Sequence, residues 1–292
     1  MKLLLDTDIG SDIDDAICLA YLLSQPECEL LGITTVTGES EKRARLARFL
    51  CQSAGKEIPI FPGCEKPLLG DQKQPYAPQA EILGNQPHQE RFAQGQAVEF
   101  LRQTIRRYPG EITLLTIGPL TNIGLLFALD AEVPSLLERL VMMAGVFTNR
   151  IPGVGPREWN ALVDPYATAI VYQAPVKKHY SIGLDVTCQV KMKADQVRGE
   201  FQKGLLKVVL KMAEIWFRKR DIVTFHDPLA AVSIFHPGVC SFQKGQVEVE
   251  LTSRRLAGLT YWTPVDHGPH QVALEVDPPA FFDQFFSVFP SP

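Results

Sequence analysis

The chain has 292 residues, enough for one large α/β domain or two small ones. Its 46% apolar and 21% charged residues are an ordinary globular balance. A net charge of -4 offers no general attraction to nucleic acid or an anionic membrane, so neither is expected as a partner and an enzyme of small molecules is.

The six cysteines (Cys18, Cys28, Cys51, Cys64, Cys188, Cys240) form no CxxC pair and no zinc-ligand spacing, and read as reduced thiols. The apolar run behind Met1 is too short for a signal peptide, and no stretch approaches the ~20 apolar residues of a membrane span. A soluble, cytoplasmic protein is the expectation.

In chain order, Leu3–Leu5 reads as a buried strand, and Asp14 to Leu23 as a helix opened by acidic residues. Leu30–Val36 is a second strand. A helix from about Ser40 to Ala54 follows, with Ala44, Leu46, Ala47 and Leu50 facing the core and Gly55 stopping it. Ile58–Phe61 is a third strand. After a polar, Pro-rich stretch (about Glu65–Gln89), a helix covers roughly Phe92–Tyr108. Strands at Ile112–Ile117 and Leu140–Ala144 then alternate with a helix at Asn122–Leu129, and Asp164–Gln173 and Lys178–Leu184 continue the alternation.

This order predicts a mostly parallel central sheet with helices on both faces. Ligands of such sheets bind at the carboxyl ends of the strands, here just after Leu5, Val36, Ile117 and Ala144. The region from about Ala194 to Phe235 is more helical. Val247–Leu251, Leu259–Trp262 and Val272–Val276 read as a small antiparallel part, and Pro279–Phe289 as a closing helix. There is no repeat, linker or low-complexity block, so residues 1–292 are read as a single domain.

The sharpest feature is Asp6-Thr7-Asp8-Ile9-Gly10-Ser11-Asp12-Ile13-Asp14-Asp15, at the end of the first strand. Five confined carboxylates repel one another unless a cation or protons neutralise some of them. Oxygen ligands favour a hard ion, calcium or magnesium, over zinc. Gly10 allows the sharp turn that lets Asp8 and Asp15 converge. A plainer account exists: Asp14 and Asp15 open a helix, where acidic residues are common caps.

At this point the chain resembles the inosine-uridine nucleoside hydrolase family. Asp6-Thr7-Asp8…Asp14-Asp15-Ala16 is similar to that family's N-terminal DxDPGxDDA signature, and Thr116-Ile117-Gly118-Pro119-Leu120-Thr121-Asn122 to its central TxGPLTN segment. Met142-Met143-Ala144-Gly145, with Glu158-Trp159-Asn160 and Asp164-Pro165, matches its MGG…EFN…DP stretch. Leu184-Asp185-Val186-Thr187 resembles its LDVT segment, and His226-Asp227-Pro228-Leu229-Ala230 its HDPLA motif. The resemblance covers roughly residues 2 to 275.

The resemblance implies a Rossmann-like sheet, N-glycosidic hydrolysis of ribonucleosides or related N-ribosides, and a homo-oligomer, dimer or tetramer. It implies calcium held by Asp8, Asp15, Asp227 and the backbone carbonyl of Ile117, with Asp8 also the general base for water. Asp14, Glu158 and Asn160 would bind the ribose hydroxyls. His226 would be the acid or donor to the leaving base, although a histidine before a helix is also a common cap or core partner. Trp159 and Trp262 are candidates to stack on a base, or simply core aromatics.

Three departures stand out. Ile9 replaces the family's proline in a loop two residues longer, which adds Asp12, read as an exposed cap. Glu39, in Val36-Thr37-Gly38-Glu39, stands where the family has a sugar-contacting asparagine, and inherits that substrate-binding role. The family's HG-containing loop is missing; the stretch Leu83–Gln89 differs in character, and His88 substitutes for it poorly. The ribose and ion end thus matches the family while the base-recognition end is rewritten.

Two rival readings remain. A haloacid-dehalogenase-type phosphohydrolase also begins with Asp-x-Asp, but wants a hydroxyl residue where Gly10 stands. A calcium-dependent ribosyl-ligand binder without turnover would fit the altered base end.

Overall fold

The computed structural model describes residues 1–84 and 92–289; His88 lies outside them. Eleven strands are found among the described residues. In chain order they are β1 (Lys2–Thr7), β2 (Glu29–Thr35), β3 (Ile60–Pro62), β4 (Ile112–Thr116), β5 (Arg139–Met142), β6 (His179–Ser181), β7 (Lys191–Lys193), β8 (Ile222–Thr224), β9 (Cys240–Val249), β10 (Thr260–Pro264) and β11 (His270–Val276).

Nine of them form one sheet in the order β10-β9-β11-β6-β5-β4-β1-β2-β3. From β3 to β6 every pairing is parallel, and the order 3-2-1-4-5-6 is that of a doubly wound sheet. Such an order reverses between β1 and β4, which opens a crevice beyond their carboxyl ends. The acidic segment leaves β1 there, and Ile117 leaves β4.

Central strands of a parallel sheet are covered on both faces and read as unbroken apolar runs. β1 obeys this: Leu3, Leu4 and Leu5 are all fully buried. Alternation divides them, Leu3 and Leu5 with Leu115 to one face, Leu4 with Leu114 and Leu140 to the other.

On the first of these faces, helix Asp14–Ser24 packs beside helix His226–Phe235. The closing helix Pro278–Ser287 locks the pair from outside. Phe285 stacks on Tyr21 at 5.8 Å and meets Phe225 at 5.6 Å, while Tyr21 meets Phe235 at 6.1 Å. Fixing the two helices side by side brings their N-terminal residues, Asp14 and Asp15 on one and Asp227 on the other, to the same point.

The structure moves several expected boundaries. The helix expected from Phe92 is Ala97–Arg107, because Gly95 turns the chain at φ +68° just before it. The strand expected over Lys178–Leu184 is three residues, followed by a helical turn at Leu184–Thr187. The short antiparallel pair β7/β8 was not foreseen. The C-terminal antiparallel strands join the main sheet through β11, which runs parallel to β6 while pairing antiparallel with β9.

Phe285 is fully buried at the meeting point of three helices. Phe285→Ala is expected to destabilise the fold by about 3–5 kcal/mol. Urea unfolding followed by circular dichroism checks this, and a midpoint unchanged from wild type contradicts it.

Candidate active site

A cavity of about 570 Å³ lies beyond the carboxyl ends of β1 and β4. That volume suits a small-molecule ligand. Asp8, Asp14, Asp15 and Asp227 line its floor, with Ile117, Glu158, Asn160 and His226 around them. Carboxylate oxygens of Asp14, Asp15 and Asp227 lie within 4.8 Å of one another, all buried. Asp8 stands outside that trio but is close enough to repel Asp15.

Several bonds hold these groups. Thr7 Oγ1 donates to Asp15 Oδ1 at 2.5 Å and accepts from the Ile9 amide at 3.1 Å, which pins the turn that Gly10 makes at φ +116°. Gln74 Nε2 donates to Asp8 Oδ2 at 2.5 Å and to Ser11 Oγ at 2.7 Å. Gly118, one residue beyond Ile117, lies so close that a Cβ there would come within 2.9 Å of Asp8 N and Oδ1. Only glycine allows β4 and the acidic turn this proximity.

Under the turn sits Arg43, fully buried. Its hydrogen bonds go to the carbonyls of Asp8, Ile9, Gly38 and Tyr76 and to the Ser11 hydroxyl. Arg43 therefore clamps the backbone of the acidic turn from behind and leaves the carboxylates to face the cavity.

Burial combined with mutual repulsion disfavours the charged carboxylates. Asp14 is pushed up to about 8, by burial first and then by Asp12. Asp15 and Asp227 are driven well above the ordinary range, again by burial first and then by neighbouring carboxylates. Asp8 is raised by burial, with Arg43 and Gln74 opposing. Asp12 is solvent-accessible yet enclosed by the cavity walls, and rises to about 6 through burial and the Asp8 charge. Such a set of oxygen donors, clustered, buried and short of positive charge, fits a hard divalent cation. The cluster can hold a metal ion.

On the far wall, Glu158 caps the short helix Trp159–Val163. Its Oε1 accepts from the Asn160 amide at 2.6 Å, and its Oε2 from Ala161 and Gly145 at 3.0 and 3.1 Å. Asn160 Nδ2 donates to the carbonyls of Ile117 and Met143 at 2.9 and 3.0 Å. Opposite, His226 Nδ1 and Thr187 Oγ1 are hydrogen-bonded at 2.7 Å. Burial, with Lys191 assisting, pulls His226 down to about 4. The ring is neutral at pH 7 in the ion-free protein, a hydrogen-bond donor and not a cationic acid.

The sequence model of the family described as inosine-uridine preferring nucleoside hydrolase matches residues 3–283. The chain belongs to that family. It is 30% identical to uridine nucleosidase 1 of Arabidopsis thaliana, over 94% of this chain and 89% of the relative. It is 29% identical to the inosine-uridine preferring nucleoside hydrolase of Leishmania major, over 98% and 95%. Among solved structures, a plant nucleoside hydrolase superposes with a TM-score of 0.83 at 25% identity, covering 100% of this chain and 99% of the other. The purine-preferring ribonucleoside hydrolase from Gardnerella vaginalis shares the fold, with a TM-score of 0.85 at 23% identity and coverage of 99% and 98%. Family membership supports ribonucleoside N-glycosidic hydrolysis, an N-ribosyl hydrolase, and removes the ground for the phosphohydrolase reading.

Of the residues expected from the sequence, Asp8, Asp14, Asp15, Ile117, Glu158, Asn160, His226 and Asp227 all line this one cavity. The structure adds Asp14 to the carboxylate trio, where the resemblance had assigned it to sugar alone. Glu39, expected to bind substrate, is not brought to this cavity. It lies outside the cavity, with Oε1 bonded to Lys42 at 2.5 Å and Oε2 accepting from the Ala77 amide at 2.8 Å. Its left-handed backbone, φ 59°, turns the side chain toward the residue 77 loop. Trp159 lines the cavity and is 47% exposed, whereas Trp262 lies in β10 and does not line it. No motif marks Gln74, Arg43 or Arg157, and Thr187, inside the LDVT segment, carried no expected role.

The shifts above give a pH prediction. A carboxyl raised in the folded state contributes stability below its unfolded pKa and loses it as pH climbs through the folded value. Asp6 and Glu158, raised mainly by burial to about 7, act in the same sense as Asp14. Above the ordinary histidine value of 6.5, buried His226 is neutral in both states and adds no slope. Stability of the metal-free protein should therefore fall from pH 6.5 to 8, and a bound divalent cation should flatten the slope. Melting temperatures in chelator across that range test it; a rise with pH would refute it.

Proposed function

We propose that this chain cleaves the N-glycosidic bond of ribonucleosides with water, giving ribose and a free base, and that calcium is its ion. The observation that carries the proposal is the buried trio Asp14, Asp15 and Asp227 beside Asp8, at the sheet's crossover in a chain of this family. Asp8, Asp15, Asp227 and the Ile117 carbonyl would hold the ion. When bound, calcium supplies charge that orients a water and makes it more acidic.

Asp8 accepts the proton of that water as its oxygen attacks the anomeric carbon of the ribose. The bond to the base nitrogen breaks through an oxocarbenium-like state and its electron pair leaves with the base, which takes up a proton from solvent while Asp8 returns its own to solvent. The surrounding carboxylates stabilise the positive charge on the sugar. Asn160, its amide nitrogen committed to two carbonyls, turns its oxygen to a ribose hydroxyl. Glu158, already bonded to three amides, offers its remaining lone pairs, and Asp14 takes another hydroxyl. In the tautomer whose Nδ1 accepts from Thr187, the His226 ring would present Nε2–H to the departing base.

The same reading takes residues 1–292 as one domain, supported by the continuous sheet that joins early and late strands. It also takes the protein to be cytoplasmic and homo-oligomeric. The six free cysteines suit a reducing compartment. No helix among the described residues is long and apolar enough to cross a membrane.

A screen of common ribonucleosides and N-ribosides for reducing-sugar release tests the activity. Release from none of them, with calcium bound, would favour the non-catalytic ribosyl-ligand binder. Asp8→Asn keeps the shape but removes a metal charge and the proton acceptor, so kcat should fall by several orders of magnitude in a folded protein. Turnover at the wild-type rate in that variant contradicts the role given to Asp8.

His226→Ala should slow cleavage of a natural riboside by about 10²–10³-fold, the cost of removing one donor to a developing anion. The loss on p-nitrophenyl riboside, whose leaving group departs without a proton, should be far smaller. Equal losses on both, with metal content retained, would mean that His226 positions the sugar or loop and does not assist the base.

A further inference from the structure

Gln74 lies in the polar, Pro-rich stretch that follows β3, and no motif accounts for it. Its side-chain amide nonetheless makes three hydrogen bonds in the cavity. Nε2 donates to Asp8 Oδ2 at 2.5 Å and to Ser11 Oγ at 2.7 Å, while Oε1 accepts from the Trp159 indole N–H. It is buried, although it arrives on a loop.

The loop is itself held. The Gln74 amide donates to Gln72 Oε1 at 2.7 Å, and Thr37 Oγ1 donates to the same oxygen at 3.2 Å. Gly38 lets the loop rest directly on the turn after β2, for a Cβ there would meet Pro75 Cα and O at 2.5 Å. Thr37 accepts a left-handed φ of 67° in this turn, a costly conformation for a β-branched residue.

We infer that Gln74 is a positioning residue that ties the Asp8 carboxylate to the Trp159 indole through one amide. The inference rests on Asp8 being the proton acceptor of the proposed reaction. Oδ2 of Asp8 is fixed by a neutral donor, which sets the plane of the carboxylate without removing its charge. Trp159, otherwise a half-exposed ring at the cavity wall, is fixed by its N–H and becomes a rigid aromatic wall for a planar leaving group. Ribose hydrolysis and base recognition are then coupled through a single side chain.

Gln74→Met tests this, because it keeps the length and volume but makes neither hydrogen bond. Trp159→Phe keeps an aromatic ring but lacks the N–H. Partners that orient a reacting group contribute about 10–100-fold. Gln74→Met should lower kcat by that factor on a ribonucleoside and on p-nitrophenyl riboside alike, since both need the water activated. Trp159→Phe should lower it less, and the double variant should be no slower than Gln74→Met alone, because both break the same chain of bonds.

A second readout needs no turnover. With Trp216 and Trp262 changed to Phe, emission from Trp159 should shift to the red on Gln74→Met, as the indole N–H loses its partner to water. A wild-type kcat in Gln74→Met, losses that multiply in the double variant, or an unshifted emission each overturns the inference. If the wild-type protein releases no ribose from any substrate, the hydrolase reading fails and the emission alone decides on Gln74.

Discussion

Crowding buried negative charge into one pocket is the constraint around which the molecule is organised. Asp8, Asp14, Asp15 and Asp227 converge buried, and each is disfavoured as an anion there. Three devices make the arrangement tolerable. Two helices direct their amino ends at the cluster, where backbone dipoles favour anions. Arg43 contributes a buried positive charge and spends its hydrogen bonds on backbone carbonyls. The third is an ion, which the oxygen donors are suited to receive.

The loops around this charge are stabilised from several directions. Asp185, within the LDVT segment, accepts from the Phe147 and Thr148 amides, both at 2.8 Å, and so shapes the chain after β5. Thr260, at the start of β10, bonds both the amide and the carbonyl of Val146, at 3.0 and 2.9 Å. The C-terminal antiparallel strands thus buttress the wall that carries Glu158. Their attachment to the parallel sheet explains why a part that looked peripheral in the sequence reaches the cavity.

Much of this was legible in the sequence. The alternation of apolar runs and amphipathic segments gave the parallel sheet, and the doubly wound order places the cavity where the acidic turn leaves β1. Asp8, Asp14, Asp15 and Asp227 were visible because their carboxylates sit in recognisable local patterns. Gln74 and Arg43 were not. Each acts on the acidic turn across a long stretch of chain, 66 residues from Asp8 for Gln74 and 35 for Arg43, and neither contact leaves a periodicity or spacing to read. Glu39 shows a related limit of reading position alone. Its position along the chain matched a sugar-contacting residue, but its left-handed backbone sends the side chain elsewhere, and position alone does not encode φ.

The contact between Asp227 and Asp14 joins residues 213 apart in sequence. During synthesis the acidic turn and most of the parallel sheet emerge long before the helix that carries Asp227. Pairing so distant in the chain is slow to form, and early segments wait for it with their apolar faces partly uncovered. Closure of the carboxylate cluster is therefore a late event in folding. A cation held by both Asp14 and Asp227 would bind only after that closure, so its capture would report folding at least as far as the helix that bears Asp227.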